Sequence, residues 1–335
     1  MKEIRLQEIK GFRIGSAENA EAGTGCTVII CPQGAPCSVD VRGGGPASRE
    51  SELLNPVAAA DRVHAVLLSG GSAYGLDAAG GVMRYLEEKG IGLPVGEAIV
   101  PLVVEACIFD LTCGQNIRPD LAMGYAACVN AEENPTVREG NHGVGTGATV
   151  GKLMGEAQMM KSGLGTYAIA LGELQVGAIV AVNALGDVID DQGEIIAGMR
   201  RLDGTGFADT RALMLEEDEA IAPILAGAGD AVTNTTIGAV ITNGRFDKTQ
   251  LKKIAALASN GIVRAIRPVN TTADGDSVFA LSVGEVDCDI NVAGTAAAYC
   301  MEQAVRRAVL TAESAYGAPA AKDLKKQDEA LGGQQ

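Results

Sequence analysis

Residues 234–243 read Asn-Thr-Thr-Ile-Gly-Ala-Val-Ile-Thr-Asn, and the reading of the whole chain turns on this run. Its β-branched, apolar body predicts a buried strand. Its start has a chemical use. A break between Asn234 and Thr235 leaves Thr235 as an N-terminal nucleophile. Its own α-amine, with an ordinary pKa near 8, then serves as general base for the hydroxyl. This device needs no histidine, and the chain has only two, His64 and His142. Sites built from several His ligands are nearly excluded for the same reason. An ordinary strand start competes with this use, and Thr236 competes with Thr235 as nucleophile.

Downstream, Asp274-Gly275-Asp276 precedes an apolar strand expected over 277–283. Two carboxylates around one Gly can hold an ammonium or orient a hydroxyl, and their closeness raises one pKa. A solvated turn is the plainer use. Upstream, two apolar strands are expected over 165–171 and 176–183, joined by Gly172-Glu173. Asn183 ends the second, where a side-chain amide can donate into an oxyanion hole. A Gly-rich loop over 140–151 leads into Lys152. Consecutive Gly N–H groups can cradle an anion and Lys152 can add a charge. The Walker pattern fails there, because Leu153 follows Lys152, and GxGxxG is matched only loosely. The turn Gly70-Gly71-Ser72-Ala73-Tyr74-Gly75 lacks GxSxG and reads as a helix cap.

Further out, the runs 27–31 and 38–41 around a Pro/Gly turn suggest a hairpin. Strands are expected at 65–69 and 100–109. Helices are expected at 73–88, 121–131, near 210–217, at 247–265 with an Asp247 cap, and at 290–312. The segment 226–230 is small and Gly-rich. Residues 319–335 read as a polar, mobile tail. No linker divides the rest, so 1–318 is expected to be one α/β (α+β) domain.

The 335 residues are 47% apolar and 21% charged, which favours a sizeable core over disorder. A net charge of −15 argues against nucleic acid and anionic lipid partners. No apolar run reaches the roughly 18 residues of a membrane span, and the start has no secretory signal, so a cytoplasmic protein is expected. Eight cysteines without a CxxC pair read as buried thiols rather than disulfides or zinc ligands. Neither metal nor cofactor is expected.

Taken in order, these segments resemble the DmpA-like L-aminopeptidase/D-esterase family of self-cleaving N-terminal-nucleophile hydrolases, including its nylon-oligomer hydrolase branch. The resemblance runs from about residue 10 to about residue 315. Its marks are GCTVIICPQGAPCSVDVRGGGPASRESELLNP, LLSGGSAYGLDAAGGVMRYL, GATVGK, VNALGDVID, NTTIGAVITN and DGDSVFALS. It implies an αββα sandwich of the DmpA/ornithine-acetyltransferase type and a homo-oligomer, a tetramer being suspected. It implies autocleavage into 1–234 and 235–335, with Thr235 as nucleophile and Asn183 as oxyanion donor. Lys152 falls near the nucleophile, and Asp274 and Asp276 fall where the nylon-oligomer branch has its paired acids. Small amides or short peptides are the expected substrates. Phe109 stands where family members carry a pocket tyrosine. Cys107 stands where some aminopeptidases place an acid, with Glu105 two residues upstream. Tyr74 joins Phe109 and Cys107 as a candidate pocket residue. The rival functions are an acyltransferase of the ornithine acetyltransferase type and an uncleaved ligand-binding protein.

Overall fold

The apolar runs assemble into two sheets in the computed structural model, which describes residues 1–134, 136–216 and 234–324. The principal strands are β1 (Lys2–Ile4), β2 (Arg13–Asn19), β3 (Thr24–Ala35), β4 (Cys37–Val41), β5 (Ala47–Arg49), β6 (Val63–Ser69), β7 (Val103–Cys107), β8 (Leu164–Leu171), β9 (Leu174–Asn183), β10 (Thr235–Gly244) and β11 (Ser277–Val286). The principal helices are α1 (Ala78–Glu88), α2 (Leu121–Glu133), α3 (Lys248–Ala265) and α4 (Ile290–Leu310). One sheet has the order β2-β3-β6-β7-β5, and the other β1-β8-β9-β10-β11-β4.

Alternation along the strands builds the layers. In β10, Ile237, Ala239 and Ile241 point between the sheets and meet Ile29, Val66 and Leu68. Val240 points the other way, into a core shared with Leu251 and Ile254 of α3 and Met301 of α4. On the opposite outer face, α1 and α2 cover Val28, Ala65 and Leu67. The architecture is an αββα sandwich. Glycine makes the α1–α2 contact close: a methyl on Gly81 would lie 1.9 Å from the Leu121 carbonyl oxygen. The capping box Asp247/Gln250 starts α3, as its Asp predicts.

Four expectations are corrected. Residues 27–31 and 38–41 do not form a hairpin. Strand β3 runs on to Ala35, and β4 leaves for the other sheet, pairing antiparallel with β11. The Pro/Gly stretch joins the sheets instead of reversing the chain. The helix expected at 73–88 begins as a 3-10 segment, Ser72–Asp77, because Gly71 and Ser72 both have positive φ and tighten the turn. The strand expected over 100–109 is split: Val100 ends a short strand, Ala98–Val100, and Val103–Cys107 forms another; Pro101 between them has no N–H for a ladder. Residues 319–324 were expected in a mobile tail but pack. Ala320 and Ala321 are buried, and the Lys161 N–H donates to the Pro319 carbonyl at 2.9 Å. The Gly-rich segment 226–230 and the junction up to residue 233 lie outside the described residues.

Candidate active site

The register of the six-stranded sheet sets the site. Strands β9 and β10 are antiparallel, with Asn183 directly opposite Thr235. Each lies an even number of residues from the inward-facing Ala181 and Ile237, so both side chains point toward the gap between the sheets at its edge. Thr236 faces the helical side, and its buried Oγ1 has no partner among the described residues. Thr235 is thus the threonine presented to the site.

The Thr235 hydroxyl donates to the carbonyl oxygen of Asn234, the residue before it. The same oxygen accepts the Gly275 N–H at 2.9 Å. Asn234 also bridges in parallel to Asp274. The peptide bond preceding Thr235 is therefore held with the hydroxyl against it and a backbone donor on its oxygen. Gly275 permits this approach, since a methyl there would lie 3.0 Å from Thr235 Oγ1 and 2.9 Å from the Gly45 carbonyl.

The paired acids flank this bond. Asp276 Oδ1 accepts the Thr236 N–H at 2.5 Å, and Oδ2 accepts the Asn270 N–H at 2.9 Å. Asp274 Oδ2 accepts the N–H and hydroxyl of Thr271 at 2.8 and 2.6 Å. Its buried Oδ1 has no partner among the described residues. Burial, and then the charge of Asp274, push Asp276 well above the usual carboxylate range.

The Asn183 amide is fixed at both ends. Its Nδ2 donates to the Phe109 carbonyl at 2.9 Å, and its Oδ1 accepts from the Thr149 N–H at 3.1 Å and hydroxyl at 3.4 Å. Phe109 and Thr149 both line a cavity of about 180 Å³, together with Thr112, Cys113, Lys152, Gly155, Glu156 and Met159. Burial brings Lys152 down to about 7, opposed by the nearby Cys113, Asp274, Asp110 and Asp276. The Lys152 ammonium thus changes charge near neutral pH.

The structure brings Thr235, Asn183, Asp274, Asp276 and Asn234 together, with Lys152 and Phe109 on the adjoining cavity. The other two candidates lie elsewhere. Tyr74 is exposed and stacks under Arg118, with its ring centre 4.0 Å from the guanidinium carbon. Cys107 is buried with its thiol 3.8 Å from Glu105 Oε1, on the face that meets α1. The sequence reading missed the Gly275 N–H, Thr149, Asp110 and Lys161. Two of these carried a signal, a single charge inside an apolar run: Ile-Phe-Asp-Leu at 108–111 and Met-Met-Lys at 159–161. All eight cysteines are free thiols, and seven of them are buried. Among the described residues no cluster of His, Cys, Asp and Glu is arranged to hold a metal ion.

The pattern of peptidase family S58 matches residues 5–322. The chain belongs to this family. It is a hydrolase of the peptidase and amidohydrolase kind. An uncharacterized aminopeptidase of Mycobacterium leprae is 38% identical over 346 residues, covering 94% of this chain and 92% of its own. A 6-aminohexanoate-oligomer endohydrolase of Kocuria sp. is 33% identical, covering 84% and 75%. In structure this S58 chain is similar to a Burkholderia sp. beta-aminopeptidase, with TM-score 0.66, 18% identity and coverage of 97% and 92%. It is also similar to the L-aminopeptidase D-Ala-esterase/amidase of Ochrobactrum anthropi, with TM-score 0.65, 18% identity and coverage of 97% and 93%. The latter is described as a variant of the Ntn hydrolase fold, so the αββα sandwich is that fold. Among the described residues no helix is long and apolar enough to cross a membrane.

Proposed function

We propose that this S58 chain cuts itself between Asn234 and Thr235 and then hydrolyses small amides or short peptides with Thr235. One observation carries the reading: the Thr235 hydroxyl lies on the Asn234 carbonyl while the Gly275 N–H, 2.9 Å away, holds that same oxygen. Hydroxyl attack on the Asn234 carbonyl carbon forms an oxyanion that this N–H stabilises. The C–N bond breaks, the nitrogen takes the hydroxyl proton, and an ester joins Asn234 to Thr235. Water cleaves the ester into an Asn234 carboxyl group and a free Thr235 hydroxyl and amine.

In the mature site the freed amine is the general base. Thr235 takes the acyl group of a substrate amide, the amine product leaves, and water releases the acid. Asn183 donates to the substrate oxyanion, a contribution of about 3 kcal/mol. Lys152 adds positive charge beside it. Asp276 holds the Thr236 N–H and Asp274 the Thr271 turn, so the two acids fix the backbone on either side of Thr235. With Phe109 lacking a hydroxyl and Cys107 facing away, the cavity offers no acid at the position where some aminopeptidases anchor an ammonium. This favours internal amides of small linear chains, in keeping with the oligomer endohydrolase relatives, over strict release of N-terminal amino acids. A homo-oligomer in the cytoplasm is part of this reading.

The test is intact mass and N-terminal sequencing of the purified protein beside Thr235→Ala. Fragments 1–234 and 235–335, with an uncleaved and inactive variant, are expected. A wild-type chain that stays whole yet hydrolyses amides would sink the mechanism.

A further inference from the structure

We infer that Asp110, a buried residue outside the catalytic set, is a positioning residue that holds the Asn183 amide in place for oxyanion stabilisation. The inference rests on the role proposed for Asn183. An oxyanion donor works only if its direction is fixed before the charge develops. For Asn183 that direction is set by the Phe109 carbonyl on one side and Thr149 on the other. The question is what holds those two groups.

The Phe109 carbonyl sits on a clamped backbone. The Ile108 N–H donates to Ser69, and the Ile108 carbonyl accepts from Ser72, both at 2.8 Å. Asp110 completes the clamp. Its Oδ1 accepts the Gly71 N–H and its Oδ2 the Thr24 hydroxyl, both at 2.7 Å. These are the short bonds expected of an ionised acceptor. The slot admits nothing else. A methyl on Gly70 would lie 2.0 Å from Asp110 Oδ2, and one on Gly147 2.6 Å from Asp110 Cβ. The carboxylate thus ties the starts of β3 and α1's leading turn to the backbone that orients Asn183. Lys161 faces it from the Thr149 side. Its ammonium donates to the carbonyls of Gly145, Ala148 and Ser162 at 3.1, 2.9 and 2.5 Å, fixing the loop that delivers the Thr149 N–H. The Asp110 carboxylate makes no hydrogen bond to Thr235 among the described residues. Its charge also favours the Lys152 ammonium, and a route through Asn183 differs from that one in being lost when Asn183 is removed.

The experiment is a double-mutant cycle of Asp110→Ala and Asn183→Ala. The probe is a 6-aminohexanoate oligomer or, where it is not turned over, the activated ester p-nitrophenyl acetate. Turnover is normalised to Thr235 N-termini counted by mass. Asp110→Ala is expected to lower kcat about 10- to 100-fold with KM changed less than about threefold, the scale of a displaced catalytic group. In the Asn183→Ala background the same change is expected to lower kcat by no more than about twofold, because coupled residues are non-additive. Equal effects in both backgrounds, or an unchanged kcat in Asp110→Ala, overturn the inference. Should Asp110→Ala not fold, Thr24→Ala removes one of the two bonds and should lower kcat about threefold with the same non-additivity; an unchanged kcat there also overturns it. Failure of the wild-type chain to cut or turn over counts against the Thr235 mechanism, not against Asp110.

Discussion

Lys152 and Lys161 lie on one short stretch of chain, and burial pushes both down to about 7. Their surroundings differ. Lys161 is fully buried and its three N–H groups are committed to three backbone carbonyls, which favour the charged form. Lys152 is half-buried, lines the cavity, and feels Asp274 and Asp276. The same electrostatic signature therefore marks a fastener in one place and, on the function proposed above, a working group in the other. What separates them is which oxygens they face, not how far burial shifts them.

Removing each ammonium should separate them further. Lys152→Met is expected to lower turnover by about 100-fold or more, the scale of a lost proton-transfer or charge-stabilising group, while the melting temperature stays near wild type. Because charge on Lys152 is lost as pH rises through about 7, the wild-type kcat/KM should show a falling alkaline limb from there. The variant should lack it. A Lys152→Met enzyme with full turnover would erase the distinction.

Lys161→Met should act first on stability. It leaves three buried carbonyls without their donor, at about 1 kcal/mol or more each, so a loss of roughly 3 kcal/mol in urea unfolding is expected. Whatever chain remains folded should keep its KM.

Glu105 is a buried acid outside the cavity lining, on the face that meets α1. Burial raises it to about 8, and its Oε2 has no partner among the described residues. The folded chain then binds more protons than the unfolded one between about 4.5 and 8, so this group's contribution falls as pH rises through that window. From pH 5 to 7 the loss is about 2 kcal/mol. Glu105→Gln should flatten the melting temperature over that range, with turnover unchanged. A variant with the wild-type slope would show that Glu105 is ionised in the fold.

Much of this was legible along the chain, for identifiable reasons. The apolar runs of β8, β9 and β10 and the Asp247 cap are local signals, and local signals are what a sequence displays. Asn234, Thr235, Asp274 and Asp276 were readable through the family resemblance of NTTIGAVITN and DGDSVFALS; singly each passes for an ordinary strand start or turn. The fate of residues 32–36 was not readable. A Pro/Gly segment serves equally to reverse a strand or to carry it to another sheet, and only the pairing of Cys37–Val41 with β11 decides. Asp110 showed only as a charge in an apolar run and Thr149 not at all, for a similar reason. Their partners, Thr24, Gly71 and Asn183, are distant in sequence and meet only through the sheet register.

The strand order β9-β10-β11-β4 has one more consequence. The two strands that follow the proposed cut lie between strands that precede it, hydrogen-bonded on both sides. Once cut, the halves stay laced together, yet they no longer share a covalent memory of having been one chain. Folding of the uncut protomer, before any assembly, is a unimolecular event that dilution does not affect. Recovery after the cut requires two molecules to find each other, so it slows with dilution and competes with aggregation. The chain would then have one concentration-independent chance to fold.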